Sequence, residues 1–186
     1  LHTSDWHLGQ NFYSKSRAAE HEAFLNWLLE TAQSHEVDAI IVAGDIFDTG
    51  SPPSYARELY NRFVVNLQHT GCHLVIVAGN HDSVATLNES RDILAFLNTT
   101  VVANAGHAPQ IMKKRDGTPG AVLCPVPFLR PRDIVQSQAG LSGGEKQQHL
   151  LQSITEYYQQ QYTDACALRG DAPLPVIATG HLTTVG

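Results

Sequence analysis

The chain has 186 residues, 42% of them hydrophobic, which lets one domain of ordinary size bury a core without disulfide bonds. This composition excludes fibrous, low-complexity and disordered classes. Its 12 Lys and Arg against 18 Asp and Glu give a net charge of -6, the wrong sign for gripping nucleic acid by simple phosphate neutralisation. An anionic substrate would therefore need local help such as bound cations, and the 10 histidines favour metal chemistry.

The cysteines and the chain ends indicate the setting of the protein. Cys72, Cys124 and Cys166 are odd in number and form no C-x-x-C pair, which predicts reduced thiols. No apolar run approaches the ~20 residues that span a bilayer and no leader pattern is present, so we expect a soluble, cytoplasmic protein without a membrane partner. Both ends look cut, and we expect residues 1–186 to form an incomplete domain of a longer protein.

Hydrophobic spacing predicts alternating helices and strands over the first hundred residues. The pattern predicts, in chain order, a helix at 17–35, a strand within 38–45, a helix at 54–68, a strand within 73–80, a helix near 88–97 and a strand at 100–103. The two apolar runs are continuous, as in strands buried on both faces. This alternation favours an α/β core with parallel strands.

The pattern changes after residue 105, where Gly and Pro become frequent. Candidate strands at 110–113 and 121–125 favour a second sheet of hairpins. A polar helix at 145–162 and a last strand at 174–178 complete the predicted elements.

Three predicted strands end in the same way, with a glycine followed by a polar residue. These residues are Asp45, Asn80 and His181, and a fourth segment, Ser4-Asp5-Trp6-His7, leaves the first strand with two polar side chains at i, i+2. Open α/β sheets bind ligands at the carboxyl edge of their strands. In an extended stretch the i, i+2 spacing would turn Asp5 and His7 to the same side.

The resulting set comprises two carboxylates, one amide oxygen and two imidazoles, from Asp5, His7, Asp45, Asn80 and His181. Oxygen and nitrogen ligands without thiolate suit Mn, Fe or Zn. Five ligands exceed one tetrahedral site and suit two ions that share Asp45. Such a pair of ions clamps a phosphoryl group and generates hydroxide near neutral pH.

His81 follows Asn80 and should project differently, which suits a general acid to the leaving oxygen. Asp48 and Asp82 are neighbouring carboxylates that could hold its ring, and the sequence does not choose between them. Asp48 is included with His81 in the predicted catalytic set. No substrate-binding residue is predicted.

Each of these motifs taken singly is more often ordinary turn or loop chemistry. A single Gly-Asp or a lone histidine therefore carries little weight. The prediction depends on the coincidence of four strand ends that carry ligand-type residues in one chain.

The motif order resembles the calcineurin-like metallophosphoesterase superfamily. The matching segments are Asp5-Trp6-His7, Gly44-Asp45-Ile46-Phe47-Asp48, Gly79-Asn80-His81-Asp82 and Gly180-His181. Further segments, including Pro125 to Pro131, are similar to the branch of this superfamily that holds bacterial nuclease subunits. The family's later Gly-His-x-His motif is absent from this sequence.

This resemblance implies a four-layer α/β/β/α sandwich of two mixed sheets flanked by helices, truncated at the C-terminal side. It implies a manganese-dependent DNA endo- and exonuclease that acts with an SMC-like ATPase on double-strand ends and hairpins, in DNA repair, recombination and replication. Asp5 and His7 would hold one ion, Asn80 and His181 the other and Asp45 both, while His81 would assist phosphodiester cleavage.

The resemblance also implies a homodimer formed through helices beside the site. The candidates are 54–68 and 88–97, with contacts from Leu59, Phe63, Leu94 and Phe96 that would otherwise face the core. Two other functions stay open: a phosphomonoesterase or small-nucleotide phosphodiesterase of the same superfamily, and an inert scaffold of the same fold.

Overall fold

The computed structural model describes residues 1–135 and 142–182. The strands in chain order are β1 (His2–Thr3), β2 (Asn11–Phe12), β3 (Lys15–Ser16), β4 (Ala39–Ala43), β5 (His73–Val77), β6 (Thr99–Val102), β7 (Gln110–Lys113), β8 (Pro119–Pro125) and β9 (Val176–Thr179). The helices are α1 (Ala18–Ser34), α2 (Ser54–Gln68), α3 (Val84–Asn88), α4 (Arg91–Phe96), α5 (Pro131–Ile134) and α6 (Gly143–Arg169). The predicted domain end at Gly186 lies outside the described residues.

The first sheet has the strand order β1-β4-β5-β6, and every pairing within it is parallel. Ile41 of β4 pairs with His2 on one side and with Val75 on the other. Because β4 and β5 are central and covered on both faces, their continuous apolar runs are buried apart from the first residue of each strand. The predicted α/β class is confirmed.

Helices cover one face of this sheet. Leu28 of α1 and Val64 of α2 belong to the large core cluster with Ile40 and Ile76 from the central strands. The buried Trp6 ring belongs to the same cluster and lies edge-on to Phe63, at 5.3 Å between ring centroids. The same cluster also contains Leu59 and Leu94. Of the four residues considered for a dimer contact, only Phe96 is exposed.

The second sheet has the order β7-β8-β9, with an antiparallel β7–β8 pair and a parallel β8–β9 pair. Val75 and Val77 of the first sheet pack against Leu123 and Met112 of the second. On the outer face of the second sheet, Val122 and Cys124 pack against Ala165 of α6. The layers therefore run helix, sheet, sheet, helix, which confirms the predicted four-layer sandwich. Among the described residues only the second sheet is mixed, and its β9 joins in parallel through α6 and not by a hairpin.

Several element bounds differ from the predicted ones. The helix expected at 88–97 is two short helices, α3 and α4, separated at Glu89 and Ser90. Helix α6 continues seven residues beyond the predicted end at Tyr162, through Ala165 on its buried face, to Arg169. Its start is fixed by a capping box, in which the side chains of Ser142 and Glu145 bond each other's backbone amides.

The described residues 1–135 and 142–182 contain no helix of the length and hydrophobicity that a bilayer crossing requires. All three cysteines are free thiols, as predicted, with Cys72 and Cys124 buried.

Candidate metal centre

Loops 4–8, 44–48 and 78–82 leave β1, β4 and β5 at one edge of the first sheet, since these strands are parallel. The first two loops run side by side. The Asp5 amide donates to the Gly44 carbonyl oxygen and the His7 amide to that of Asp45, each at 3.0 Å. This pairing holds the side chains of the two loops in register around one edge of the sheet.

The conformation of the first loop differs from the predicted one. Asp5 (φ 57°) and His7 (φ 45°) adopt left-handed backbone angles, so the segment is not extended. The Asp5 and His7 side chains therefore come together because the loop is coiled. They do not come together by the alternation of side chains along an extended strand. Asp45 (φ 52°) is also left-handed. Such conformations cost non-glycine residues about 1 kcal/mol or more, and they are concentrated at functional sites.

Asp45 is the centre of the site and is only 3% exposed. Its Oδ1 accepts a hydrogen bond of 3.0 Å from the His81 amide. Its Oδ2 lies 3.7 Å from His7 Nε2 and 3.5 Å from His181 Nε2. Within the described part of the chain, no lysine or arginine lies within ion-pair distance of this carboxylate. A buried carboxylate needs a compensating positive charge, which a cation on Oδ2 would supply.

The first candidate ion position lies among Asp5, His7 and Asp45. His7 Nε2 is 3.8 Å from Asp5 Oδ1 and 3.7 Å from Asp45 Oδ2, and all three ligand atoms fall within 4.8 Å of one another. Two ligands each about 2.1 Å from one ion lie at most about 4.2 Å apart. The His7–Asp5 and His7–Asp45 separations therefore fit a shared ion.

The second candidate position lies among Asp45, Asn80 and His181. His181 Nδ1 is 2.9 Å from the Ala43 carbonyl oxygen, which only accepts hydrogen bonds, so Nδ1 carries the ring proton. In the neutral ring Nε2 then bears a lone pair, which points at Asn80 Oδ1, 2.9 Å away. Acceptors that face one another without a hydrogen between them fit a cation.

Two glycines make room for this arrangement. A Cβ on Gly79 would collide with both the side chain and the backbone of Asp45, and a Cβ on Gly44 would collide with the His181 ring. Gly44 also has a φ of +97°, which few other residues adopt. The Gly-Asp and Gly-Asn pairs of the sequence are therefore steric requirements of the site.

Asp48 contacts the two neighbouring imidazoles through different groups. Its carboxylate Oδ1 lies 3.2 Å from His7 Nδ1, within ion-pair range but without hydrogen-bond alignment. Its backbone carbonyl oxygen lies 2.7 Å from His81 Nδ1. This hydrogen bond, opposed by slight desolvation and assisted by the nearby carboxylates of Asp45 and Asp48, raises the pKa of His81.

The Asp82 carboxylate, the alternative partner for His81, is turned away from that ring. It is buried and accepts hydrogen bonds from the amides of Gly79 (2.8 Å), Phe47 (3.0 Å) and Ile46 (3.2 Å). Burial raises the pKa of Asp82, while these three bonds oppose the shift. Asp82 thus ties the loop after β4 to the loop after β5.

The comparisons with known proteins agree with this geometry. A model of the family "Calcineurin-like phosphoesterase" matches residues 1–181. The chain belongs to this family.

Its relatives are nuclease and repair proteins. The chain is 85% identical over all 186 residues to the SbcD component of the nuclease SbcCD from Escherichia coli (strain K12), 46% of whose length it covers. It is 32% identical over 197 aligned residues to the SbcD component from Rhodobacter capsulatus, covering all of this chain and 48% of the relative. It is 29% identical over 133 residues, 62% of this chain and 34% of the relative, to "DNA double-strand break repair protein Mre11" of Sulfurisphaera tokodaii. The chain thus spans about half the length of the first two relatives.

Membership of the calcineurin-like phosphoesterase family implies binding of divalent metal ions, and the acceptor clusters fit such ions. All seven residues of the predicted set lie at this one edge of the first sheet, although they come from four separate segments. Their roles as ligands and catalysts stay predictions.

The sequence did not reveal how residues 125–131 support the site. The Phe128 amide donates to the Ala78 carbonyl oxygen at 2.8 Å, and the Phe128 ring lies edge-on to His181 at 6.3 Å between centroids. Arg130 Nη2 donates to the Asp82 carbonyl oxygen at 2.9 Å. In the sequence this Pro-rich segment stands out only through the resemblance, because its contacts are non-local.

Proposed function

We propose that this chain is the catalytic part of a metal-dependent DNA nuclease that hydrolyses phosphodiester bonds in DNA repair, recombination and replication. The observation that carries the proposal is the shared Asp45 Oδ2, which faces His7 Nε2 and His181 Nε2 from a buried position. The names of the relatives, a nuclease component and a DNA double-strand break repair protein, support DNA as the substrate.

In this proposal the cofactor is a pair of divalent ions: the oxygen and nitrogen donors suit Mn, Fe or Zn, and the family resemblance favours Mn²⁺ among them. Asp5 and His7 would hold one ion, Asn80 and His181 would hold the other, and Asp45 would contribute to both. The ions supply charge stabilisation for the phosphoryl oxygens and lower the pKa of bound water.

His81 serves as the general acid. Its Nδ1 is held by the Asp48 carbonyl oxygen, which fixes the ring and leaves Nε2 as the nitrogen that presents a proton to the leaving oxygen. The same hydrogen bond favours the protonated ring. Asp48 therefore acts as a positioning residue for His81 through its backbone, and its carboxylate lies beside His7.

The partners of the longer protein are proposed from the resemblance and the relatives' names. We expect double-stranded DNA ends and hairpins as substrates, an SbcC-type SMC-like ATPase as the protein partner, a homodimer as the assembly and the cytoplasm as the location. Phe96 of α4 (88% exposed) and Val65 of α2 (45% exposed) are apolar side chains that a second copy would cover.

The test is cleavage of a DNA hairpin and a duplex end by the full-length protein with Mn²⁺. Asp45→Ala should abolish cleavage while thermal unfolding shows an intact fold. Glu30→Ala, which removes an exposed carboxylate from α1, is the matched control and should cleave like the parent. Undiminished cleavage by Asp45→Ala would exclude the proposed site.

Substrate comparison separates the remaining functions. Efficient hydrolysis of a phosphomonoester or a small chromogenic diester without cleavage of DNA would favour a phosphomonoesterase or a small-nucleotide phosphodiesterase. Failure to bind Mn²⁺ or to hydrolyse any of these substrates would favour the inert scaffold.

A further inference from the structure

Strands β2 and β3 form a hairpin that carries two exposed aromatic rings beside the candidate metal centre. Phe12 is 65% exposed and Tyr13 is 87% exposed, with their rings edge-on at 4.6 Å between centroids. The ladder pairs Phe12 with Lys15, so Tyr13 and Ser14 are the two residues of the turn. We propose that this hairpin binds unpaired bases of the DNA substrate next to the cleavage site. The inference rests on the proposed nuclease function and extends it to a substrate contact.

The hairpin is fixed to the site by its base. The Gln10 amide donates to the His7 carbonyl oxygen at 3.0 Å, and Gln10 Nε2 donates to Asp48 Oδ1 at 3.4 Å. On the other strand, Arg17 Nη1 donates to Gln10 Oε1 at 2.8 Å. Gln10 therefore fixes the base of the hairpin to His7 and Asp48, and Arg17 closes the base by bonding to Gln10.

The distance along the chain limits where a bound base can lie. Tyr13 lies six positions after His7 in the chain, and this length of extended chain spans no more than about 20 Å. A nucleic acid strand advances about 3.4 Å per nucleotide, so the rings reach bases within about six nucleotides of a phosphate at the metal centre.

The turn itself favours an outward aromatic side chain. Tyr13 (φ 46°) and Ser14 (φ 62°) are both left-handed, as a two-residue type I′ turn requires. Asn and Gly suit these angles, whereas a tyrosine there costs free energy and gains no buried contact. A ring held in water at such a cost is consistent with a surface that binds something apolar and flat.

The hairpin region is positively charged and so complements DNA, although the net charge of the whole chain is negative. Residues 8–19 contain Lys15 and Arg17 and no acidic residue, in a chain of net charge -6. The Arg17 head group is bonded to the neutral amide of Gln10, so its charge is available to phosphate. Proteins commonly bind unpaired bases with aromatic rings that lie beside cationic side chains. The rings stack on bases of any sequence, and the cations bind the phosphates of the nucleic acid backbone.

The experiment measures binding and cleavage of a DNA end that carries an unpaired overhang, with the full-length protein. Binding by fluorescence anisotropy without Mn²⁺ is independent of cleavage. Phe12→Ala/Tyr13→Ala should weaken binding about 5- to 150-fold, as expected for losing one stacked base. Its kcat/KM on this DNA, relative to that on a chromogenic diester, should fall by a similar factor.

Two controls separate stacking from general damage. Tyr13→Phe keeps the ring and should bind like the parent. Replacing the overhang bases by abasic sites should weaken the parent's binding to the level of the double variant and leave that variant unchanged. Lys15→Gln should reduce the slope of log Kd against log salt concentration by about one.

Three outcomes would overturn the inference: unchanged binding by Phe12→Ala/Tyr13→Ala, equal binding of abasic and intact overhangs by the parent, or a defect confined to association with the ATPase. The last would assign the hairpin to protein docking. If the parent binds the overhang through the hairpin but cleaves no DNA with Mn²⁺, the proposed function fails while the hairpin contact stands.

Discussion

His181 Nε2 lies 2.9 Å from Asn80 Oδ1, and with the ring neutral both atoms are acceptors. The ring proton is on Nδ1, which donates to the Ala43 carbonyl oxygen of β4. Such a contact is repulsive in the absence of a cation and favourable around one. The hydrogen bond to the Ala43 carbonyl oxygen of β4 therefore holds the His181 ring in the tautomer that the proposed ligand role requires.

Replacing His181 should remove one ion and leave the other. In His181→Ala we expect at least a tenfold weaker affinity for one of two Mn²⁺ ions, because the position shared with Asn80 loses a ligand. Asp45→Ala should weaken both ions, since Asp45 Oδ2 faces both histidines. Titration calorimetry of the full-length protein measures both effects, and equal losses in the two variants would contradict the assignment.

Gly79→Ala tests the steric requirement at Asp45. The added methyl group would overlap the Asp45 carboxylate and amide, so Asp45 must move. We expect Mn²⁺ affinity to fall at least tenfold and the unfolding temperature to drop. The matched control is Gly143→Ala in α6, where a Cβ meets nothing within 4 Å. An unchanged affinity in Gly79→Ala would show that Asp45 is not held where the structure places it.

The sequence indicated which residues would lie together at this edge of the sheet. It did not indicate the backbone conformation that brings Asp5 and His7 together. Strands β4 and β5 were predictable because burial on both faces leaves continuous apolar runs. Convergence of Asp45 and Asn80 then followed from parallel strands. His181 follows β9 of the second sheet, so it reaches this edge only because the two sheets pack face to face. The pairing of Asp5 with His7 depends on left-handed angles, which no local pattern indicates for these residue types.

Other features are hidden in the sequence because their cause is non-local or atypical. The β2–β3 hairpin has Tyr13 and Ser14 in its turn where Asn-Gly is usual, so its sequence carries no turn signal. The backbone bonds of Asp82 depend on loops more than thirty residues apart, since Ile46 is 36 positions away. Its position next to His81 in the sequence therefore suggests a catalytic partnership that the fold does not form.

Asp82 is expected to contribute to stability. Asp82→Asn retains the size of the side chain but leaves only one oxygen for the amides of Gly79, Ile46 and Phe47. Leaving buried donors without partners costs about 2 kcal/mol or more, which lowers the unfolding temperature by about 4–8 °C in a domain of this size. Calorimetry beside Asp171→Asn, an exposed carboxylate, checks the effect. Equal unfolding temperatures would show that these hydrogen bonds contribute nothing.

Replacement of His81 is expected to lower kcat more when the leaving group is poorer. DNA cleavage expels an alkoxide, which needs a proton, whereas a nitrophenyl diester expels a stable phenolate. In His81→Ala we expect kcat on DNA to fall about 10²- to 10⁴-fold, with a much smaller fall on the nitrophenyl diester. Mn²⁺ affinity should change little, because the His81 ring is bonded to the Asp48 carbonyl oxygen and only its backbone amide touches Asp45.

The leaving-group comparison also distinguishes a general acid from a merely structural histidine. His81→Gln keeps a hydrogen-bond donor for the Asp48 carbonyl oxygen but has no group that titrates near neutral pH. If the ring only supports the loop, this variant should restore cleavage of DNA. If the ring donates the proton, His81→Gln should be as impaired on DNA as His81→Ala while both retain activity on the nitrophenyl diester. Equal losses on the two substrates would exclude proton donation as the role of His81.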